Sequence, residues 1–353
     1  MRIVVAMSGG VDSSVAAALL AEQGHDVIGV SMQLYDQTEG QASFGTCCTI
    51  DDLHDARRVA AAIGIPHYIL NFENRFDEQV VSNFVREYTH GRTPIPCAHC
   101  NSDVKFSTLL ERAMGFGAAT LATGHYARID RADDGGFRLR RGLDGSKDQS
   151  YFLFSLTQEQ LARAQFPVGH LGKTEVRELA RRLNLRVASK PDSQEICFVP
   201  DGDYAAFIER RSPDLTRPGV IVDRQGTRLG THAGVHRFTI GQRKGLGLSA
   251  SEPLYVLEIK PDASEIVVGP RDALGRATLT ASEVNWVSGV APSSWQRVQA
   301  QIRYRHGAAP ARVRALDDGR ADLEFDEPQS AITPGQAVVF YDGDVVVGGG
   351  WID

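Results

Sequence analysis

The chain is poor in the features that would settle its class at once. It has five cysteines in 353 residues, an odd and small count that argues against a disulfide framework and for reactive or metal-binding thiols. It lacks any run near the roughly 18 apolar residues that a membrane span requires. The opening run Ile3-Val4-Val5-Ala6-Met7 is shorter than the roughly 7–15 residues of a secretory hydrophobic region. A cytoplasmic protein with no membrane partner is therefore expected. Repeats and low-complexity tracts are missing too. So is an excess of positive charge: 38 Lys+Arg against 44 Asp+Glu give a net charge of −6. That lowers the expectation of a nucleic-acid partner on average, but local charge must decide. The remaining composition, 42% hydrophobic and 23% charged, is that of a globular protein. The length suits roughly two or three domains.

Residues 1–130 alternate short β-branched runs with helical patterns. Arg2–Met7, Asp26–Ser31, His67–Asn71 and Thr120–Thr123 read as strands. Ser13–Gln23 (closed by Gly24), Ile50–Ile63, Phe76–Tyr88 and Val104–Met114 read as helices. Such alternation predicts an α/β fold with a doubly wound parallel sheet, its ligands at the carboxyl ends of the strands. The character changes near residue 200. After one helix in 202–211, short strands follow at Gly219–Asp223, Tyr255–Ile259, Glu265–Val268, Val298–Tyr304, Ala311–Leu316, Ala321–Phe325, Ala337–Tyr341 and Val345–Gly348. The expected division is 1–200 for the α/β domain, 201–275 for a small central β-rich domain and 276–353 for a C-terminal β-barrel.

The first strand ends in Ser8-Gly9-Gly10-Val11-Asp12-Ser13-Ser14. Two glycines let backbone amides approach an anion. Serine hydroxyls in the first helical turn and the helix N-terminus complete a phosphate cradle. Asp12 either holds Mg²⁺ or orients the loop. The blander alternative is a plain capped turn. Gly172-Lys173-Thr174 imitates the end of a Walker loop, but Pro167 occupies the required glycine position, so it reads as a helix start with Thr174 near the cap.

Cys97-Ala98-His99-Cys100 follows the proline-rich Thr93-Pro94-Ile95-Pro96, and Cys197 stands far along the chain. Cys100 is expected at a helix N-terminus, where a thiolate is stabilised. Three readings are open: buried structural cysteines, a metal site of three thiolates, or a sulfur relay between Cys100 and Cys197. The vicinal Cys47-Cys48 reads as structural.

The glycine-serine loop resembles the signature of the PP-loop ATP pyrophosphatases, adenine nucleotide alpha hydrolase-like enzymes that cleave ATP between the α and β phosphates. Further strings narrow the resemblance. They are Cys100-Asn101-x-x-Val104-Lys105-Phe106, Ala122-Thr123-Gly124-His125-Tyr126, Lys147-Asp148-Gln149-Ser150-Tyr151-Phe152, Phe166-Pro167-Val168-Gly169, Lys190-x-Asp192-Ser193-x-x-Ile196-Cys197-Phe198, Thr239-Ile240-Gly241-Gln242-Arg243-Lys244-Gly245 and Thr333-Pro334-Gly335-Gln336. In this order they resemble the bacterial tRNA-specific 2-thiouridylases over nearly the whole chain. The resemblance implies thiolation of the wobble uridine of tRNAs for Lys, Glu and Gln: ATP adenylates the uracil 2-oxygen and persulfide sulfur displaces AMP. By motif, Ala6, Met7, Ser8, Gly9, Gly10, Val11, Asp12 and Ser13 would bind ATP with Mg²⁺. Met32, just past the second strand, and Gly124 would flank the nucleotide. Cys100 would be the nucleophile and Cys197 the persulfide carrier, loaded by a cysteine desulfurase or a sulfur-relay protein. Many members have Asp where this chain has Cys97. That departure weakens the assignment of a base there and leaves the alternative of a [4Fe-4S] cluster on Cys97, Cys100 and Cys197. Ile95, Pro96, Cys97, His125, Lys147, Asp148, Gln149 and Gln336 match expected tRNA contacts.

Basic residues also cluster. Gln296–Arg314 holds five arginines, Arg297, Arg303, Arg305, Arg312 and Arg314, without an acid. His236–Lys244 holds Arg237, Arg243 and Lys244. Lys173–Lys190 holds Lys173, Arg177, Arg181, Arg182, Arg186 and Lys190 against Glu175 and Glu178. Such patches would grip RNA phosphates, the plainer alternative being a solvated charged face. Arg303-Tyr304-Arg305, read as strand, would present both arginines on one face.

Overall fold

A computed structural model describes residues 1–35, 49–192, 196–199, 202–213 and 217–353. Cys47, Cys48 and Ser193 lie outside the described residues. The first strands are β1 (Arg2–Ala6), β2 (Asp26–Gln33), β3 (His67–Asn71) and β4 (Thr120–Ala122). A hairpin follows, β5 (Ala127–Arg131) and β6 (Phe137–Arg141), and then β7 (Ala164–Gln165). The parallel sheet runs β3-β2-β1-β4-β7. It is covered on both faces, which is why β1 is an unbroken apolar run. Ile3 and Val5 pack with Val15, Leu20 and Val59 of the helices α1 (Val11–Glu22) and α2 (Ile50–Ile63). Val4, pointing the other way, packs with Phe76, Phe84, Val104 and Leu109.

Local chemistry fixes the helix ends. Thr49 and Asp52 form a reciprocal capping box on α2, and Gly64 (φ 76°) closes it in the left-handed conformation. Helix α1 starts at Val11, two residues before the expected Ser13, because Gly10 is extended and serves as the N-cap. Phe76–Tyr88 and Val104–Met114 belong to longer helices. The second runs without a break through Pro96–His99, a π-helical stretch Cys100–Leu109 and Leu110–Gly115. No helix of the described residues is long and apolar enough to cross a membrane.

The central part is a four-stranded sheet over a small core of Ile221, Val256, Ile266 and Val268. Its strands are β8 (Gly219–Val222), β9 (Arg228–His232), β10 (Tyr255–Lys260) and β11 (Glu265–Gly269), in the order β10-β11-β8-β9. The C-terminal strands are β12 (Gly275–Trp286), β13 (Gln296–Gln301), β14 (Ala309–Ala315), β15 (Ala321–Ser330), β16 (Ala337–Asp342) and β17 (Val345–Ile352). They run β12-β15-β14-β13-β16-β17, and the β12–β17 pairing closes them into a six-stranded barrel.

Two features depart from the sequence reading. The β5–β6 hairpin, within the expected first domain, pairs with β17 and extends the barrel's sheet. Arg128 and Arg140 both bind Asp344 there at 2.6 Å. Its many arginines had hidden the strand pattern. The expected strand Val298–Tyr304 stops at Gln301. Arg305 takes a left-handed conformation (φ 63°) in a turn, and Tyr304 leaves the alternation to pack on Phe152 at 4.5 Å.

The barrel docks on the α/β part through Asn285, whose amide donates to the carbonyls of Phe154 (2.7 Å) and Leu156 (3.0 Å). Replacing Asn285 with Ala strips both acceptors of their donor, and a loss of about 1–3 kcal/mol is expected in chemical denaturation. An unchanged unfolding midpoint would show that this contact does not couple the two parts.

Candidate active site

In an open parallel sheet the ligand crevice opens where strand order reverses. Here that point lies between β1 and β4, and the loops leaving them are Met7–Gly10 and Thr123–His125. Gly9 has φ 73°, and a Cβ on it would lie 2.2 Å from the Asp52 carbonyl oxygen. A Cβ on Gly124 would lie 2.5 Å from the Ser13 backbone nitrogen. Only glycine lets the first loop close on the start of α2 and the second on the start of α1. Ser8 donates its amide to the Ser13 hydroxyl (3.2 Å), and the Ser14 hydroxyl donates to the Gly10 carbonyl (2.8 Å). Ala6, Met7 and Val11 support the loop from below, with Met7 and Val11 buried. Met32 lies inside β2 rather than past it, and is buried.

Charged side chains wall this loop on two sides. On one, Lys173 donates to both Asp12 oxygens at 2.8 Å and to Asp192 at 2.7 Å. Asp192 also accepts from Lys147 (2.7 Å) and Arg177 (3.1 Å). Burial raises the Asp192 pKa, but the bonds from Lys147 and Lys173 outweigh it and hold the carboxyl at about 2. Tyr126 donates its hydroxyl to Asp12 at 2.7 Å, and desolvation together with the Asp12 charge pushes its pKa far up, so it stays protonated. On the other side, Lys190 donates to the Gly9 carbonyl (3.1 Å), Asp52 (2.6 Å) and Asp55 (2.7 Å). Burial lowers its pKa, but the two carboxylates more than reverse this.

The cysteines correct one expectation. Pro96 opens the helix, so Cys97 sits in its first turn and is exposed, while Cys100 lies a turn further and is buried. The helix-terminal thiol is Cys97. A π-helical stretch begins at Cys100 itself, the kind of irregularity that frequently marks functional positions. Asn101 next to it donates to the Phe152 carbonyl at 3.0 Å. Cys197 is half-buried and packs on the hydrophobic cluster that contains Cys100. Its neighbour Phe198 wedges between Phe76 (5.7 Å), Phe84 (5.1 Å) and Phe207 (5.3 Å). Among the described residues no three His, Cys, Asp or Glu side chains are placed to hold a metal ion. Cys97, Cys100 and Cys197 therefore do not form the three-thiolate arrangement that the cluster alternative requires.

Several residues expected to contact RNA have partners within the chain. Asp148 is buried and accepts from Arg141, Gly142 and Ser150. Gln149 brackets Tyr126, accepting from its amide (3.0 Å) and donating its own amide to its carbonyl (2.9 Å). Gln336 donates to the Thr93 carbonyl at 2.8 Å. Ile95 and Pro96 are buried. His125 contacts Thr123 (2.7 Å) between Phe106 and Phe166. Desolvation, then the Lys105 charge, lower its pKa well below the ordinary value and keep it neutral.

The basic patches shrink likewise. Arg312 and Arg314 of β14 pair with Glu324 and Asp322 of the neighbouring strand β15, and Arg297 of β13 reaches Asp326 of β15. Lys173, Arg177 and Lys190 turn inward, and His236 and Arg237 both hold Glu209. Among the described residues Arg303 and Arg305 make no ion pair, and Arg305 lies over the Tyr304 ring at 5.6 Å. The sequence reading overlooked Lys173, set aside as a false Walker lysine, and Tyr126. A lysine at a helix start directly after a glycine was the available signal.

A phosphate-type loop at the switch point of a parallel sheet, followed by two β domains, defines an α/β nucleotide-site protein with appended β modules. The family profiles that match are a tRNA methyl transferase HUP domain over residues 1–201, a tRNA methyl transferase PRC-barrel domain over 205–270 and an aminomethyltransferase beta-barrel domain over 276–352. The chain is 55% identical over 356 residues to the tRNA-specific 2-thiouridylase MnmA of Geotalea uraniireducens, covering 100% of this chain and 95% of that one. It is also 55% identical over 356 residues to the enzyme of the same name from Geobacter metallireducens, covering 100% and 96%. A third relative of that name, from Solibacter usitatus, is 55% identical over 368 residues, covering 99% of each. The chain belongs to the tRNA-specific 2-thiouridylase family, a family of sulfurtransferases.

The low pKa of Asp192 sets a pH window. Its carboxylate is stabilised in the folded chain, so this contribution is full above the unfolded value of about 3.9 and is lost as pH falls from there towards 2. Asp192→Asn is expected to flatten the loss of stability across that window by up to about 2 kcal/mol. Identical pH slopes in denaturation series of the two proteins would contradict the ion-pair assignment.

Proposed function

We propose that this chain thiolates position 2 of the wobble uridine in tRNAs for Lys, Glu and Gln, consuming ATP. What carries the reading is its full-length membership of the thiouridylase family, at 55% identity across the whole chain. The phosphate loop at the β1/β4 crevice supports an ATP site made of Ala6–Ser13 with Gly124 opposite. In the reaction the uracil 2-oxygen attacks the α-phosphorus. The bond to the β-phosphate breaks, pyrophosphate leaves with its electron pair, and the N3 proton goes to solvent. The terminal sulfur of a persulfide on Cys197 then attacks C2, and AMP leaves. The Cys100 thiolate cleaves the S–S bond, leaving sulfur on the uridine and a Cys100–Cys197 disulfide that a reductant must open. The shared cluster of the two cysteines supports this division of labour, and the half-buried Cys197 suits loading by a sulfur-donor protein such as a cysteine desulfurase.

Both Asp12 oxygens are engaged by Lys173 and Tyr126, so this carboxylate orients the loop, and it could face a metal only once Lys173 has left it. Mg²⁺ would arrive on the ATP phosphates, as is usual for that ion. The wobble base must leave its stack to reach Cys100, at a cost of a few kcal/mol. Backbone contacts from the Arg303–Arg305 turn would offset part of it.

Cys100→Ser and Cys197→Ser are each expected to abolish 2-thiouridine formation, assayed by mass spectrometry of digested tRNA with ATP, Mg²⁺ and a persulfide source. Product from the Cys197 variant would defeat the relay. Removing Arg303 and Arg305 together should weaken tRNA binding and shrink the slope of log K against log salt by about 0.7 for each loop phosphate that is no longer neutralised. An unchanged slope would place the RNA elsewhere.

A further inference from the structure

Lys173 is held where no step yet uses it. Its ammonium lies 2.8 Å from both Asp12 oxygens and 2.7 Å from Asp192, with the side chain 12% exposed. Its backbone nitrogen is tied to Asp144 at 3.0 Å, so the main chain is fixed while the four-carbon stem can swing. Asp12 is the second residue of α1, whose first-turn amides open on the same crevice. Around Asp12 and Asp192 stand three cations, Lys147, Lys173 and Arg177. With Asp144, whose carboxylate holds the Lys173 backbone nitrogen and faces Lys147, three cations meet three carboxylates, so an arriving phosphate must compete with Asp12 for the ammonium. Lys173 is also the cation whose departure the cluster tolerates: Asp192 keeps Lys147 and Arg177, and Asp12 keeps the Tyr126 hydroxyl. Lys190 on the opposite flank is bound to the loop's own carbonyl at Gly9 and serves as a tether.

We propose that Lys173 is a catalytic residue: on nucleotide binding its ammonium exchanges Asp12 for the β- and γ-phosphates and meets the charge that develops on departing pyrophosphate. The inference rests on the ATP-dependent reading above. As the bond from the uracil 2-oxygen to the α-phosphorus forms, the α–β bridging bond breaks and its electron pair stays on pyrophosphate. Lys173 keeps its proton throughout and acts by charge alone. Such a group is worth more in the transition state than in the ground state, because the bridging oxygen gains charge only as the bond breaks.

The experiment measures tRNA-dependent pyrophosphate release by the full-length enzyme. Lys173→Met is expected to lower kcat by roughly 10²–10³-fold with a small change in KM for ATP, and Lys173→Arg to recover part of the loss. Inhibition by pyrophosphate should weaken about tenfold or more in Lys173→Met, whereas inhibition by AMP, which lacks the phosphates concerned, stays as in the parent. A folded Lys173→Met enzyme with kcat within about threefold of the parent, or equal weakening of both inhibitors, overturns the proposal. If that variant does not fold because Asp12 and Asp192 are left facing each other, Lys173→Met combined with Asp192→Asn decides by the same criteria. A parent enzyme that releases no pyrophosphate with tRNA defeats the ATP reading and this proposal together; a difference confined to the variants speaks of Lys173 alone.

Discussion

An ammonium shared by two carboxylates shapes this molecule's crevice. Charges taken partly out of water are tolerated only when their partners are close and their remaining sites are filled. The layers around Lys173 meet that demand in order. Asp12 is completed by Tyr126, and Tyr126 is bracketed by Gln149. Asp148, next in the chain, binds Arg141, which lies 3.5 Å above the Tyr341 ring in the barrel and reaches Gln301. Ionic geometry at the start of α1 is thus continuous with the packing of a barrel strand far along the chain. Side chains that look like surface polar contacts in sequence are consumed in building this continuity.

A second convergence aims the cysteine helix. Thr93, three residues before it starts, is held from three directions. Its amide donates to the Pro334 carbonyl (2.8 Å), its carbonyl accepts from Gln336, and its hydroxyl meets Thr239 at 3.3 Å. The strings Thr333–Gln336 and Thr239–Gln242 come from the barrel and the central domain, and both end on this one residue. His99 then stacks on Trp351 of β17 at 4.3 Å. A helix start held by two β domains has little freedom to rotate, so the depth of Cys100 and the exposure of Cys97 are set by the whole chain. This gives the β domains a positioning role besides any grip on RNA.

The α/β half was legible because its signals are local. Alternating apolar runs, capping residues and glycines at helix ends placed α2 and β3 correctly and β1, β2, β4 and α1 to within two residues, whereas the cysteine helix was begun eight residues late and the β5–β6 hairpin was missed. The phosphate loop was legible because its glycines serve the backbone. What sequence could not show is which charges meet. Arg297, Arg312 and Arg314 formed a run without acids, yet antiparallel pairing of β14 with β15 brings Glu324 and Asp322 across from Arg312 and Arg314, and Arg297 reaches past β14 to Asp326. Lys173 and Asp12 are 161 positions apart and touch only after folding. The turn at Arg305 was missed because alternation through Val298, Ala300 and Ile302 suggests that the strand continues. Only the packing of Tyr304 on Phe152 ends it.

That turn bears on how an acidic protein can hold an anion as large as RNA. Cross-strand pairing neutralises most of the arginines that a count would assign to binding, and what remains is local. Arg303 and Arg305 flank Tyr304, which rests on Phe152, and the Phe152 carbonyl is held by Asn101 beside Cys100. Two barrel arginines that make no ion pair among the described residues therefore sit on the same packed segment as the buried thiol. Phosphate contacts placed there act at short range on the nucleotides that must be drawn towards Cys100, and the net charge of −6 is felt mainly at distances that salt screens beyond about 10 Å. Selective placement, more than the number of basic residues, is what this fold supplies for an RNA substrate.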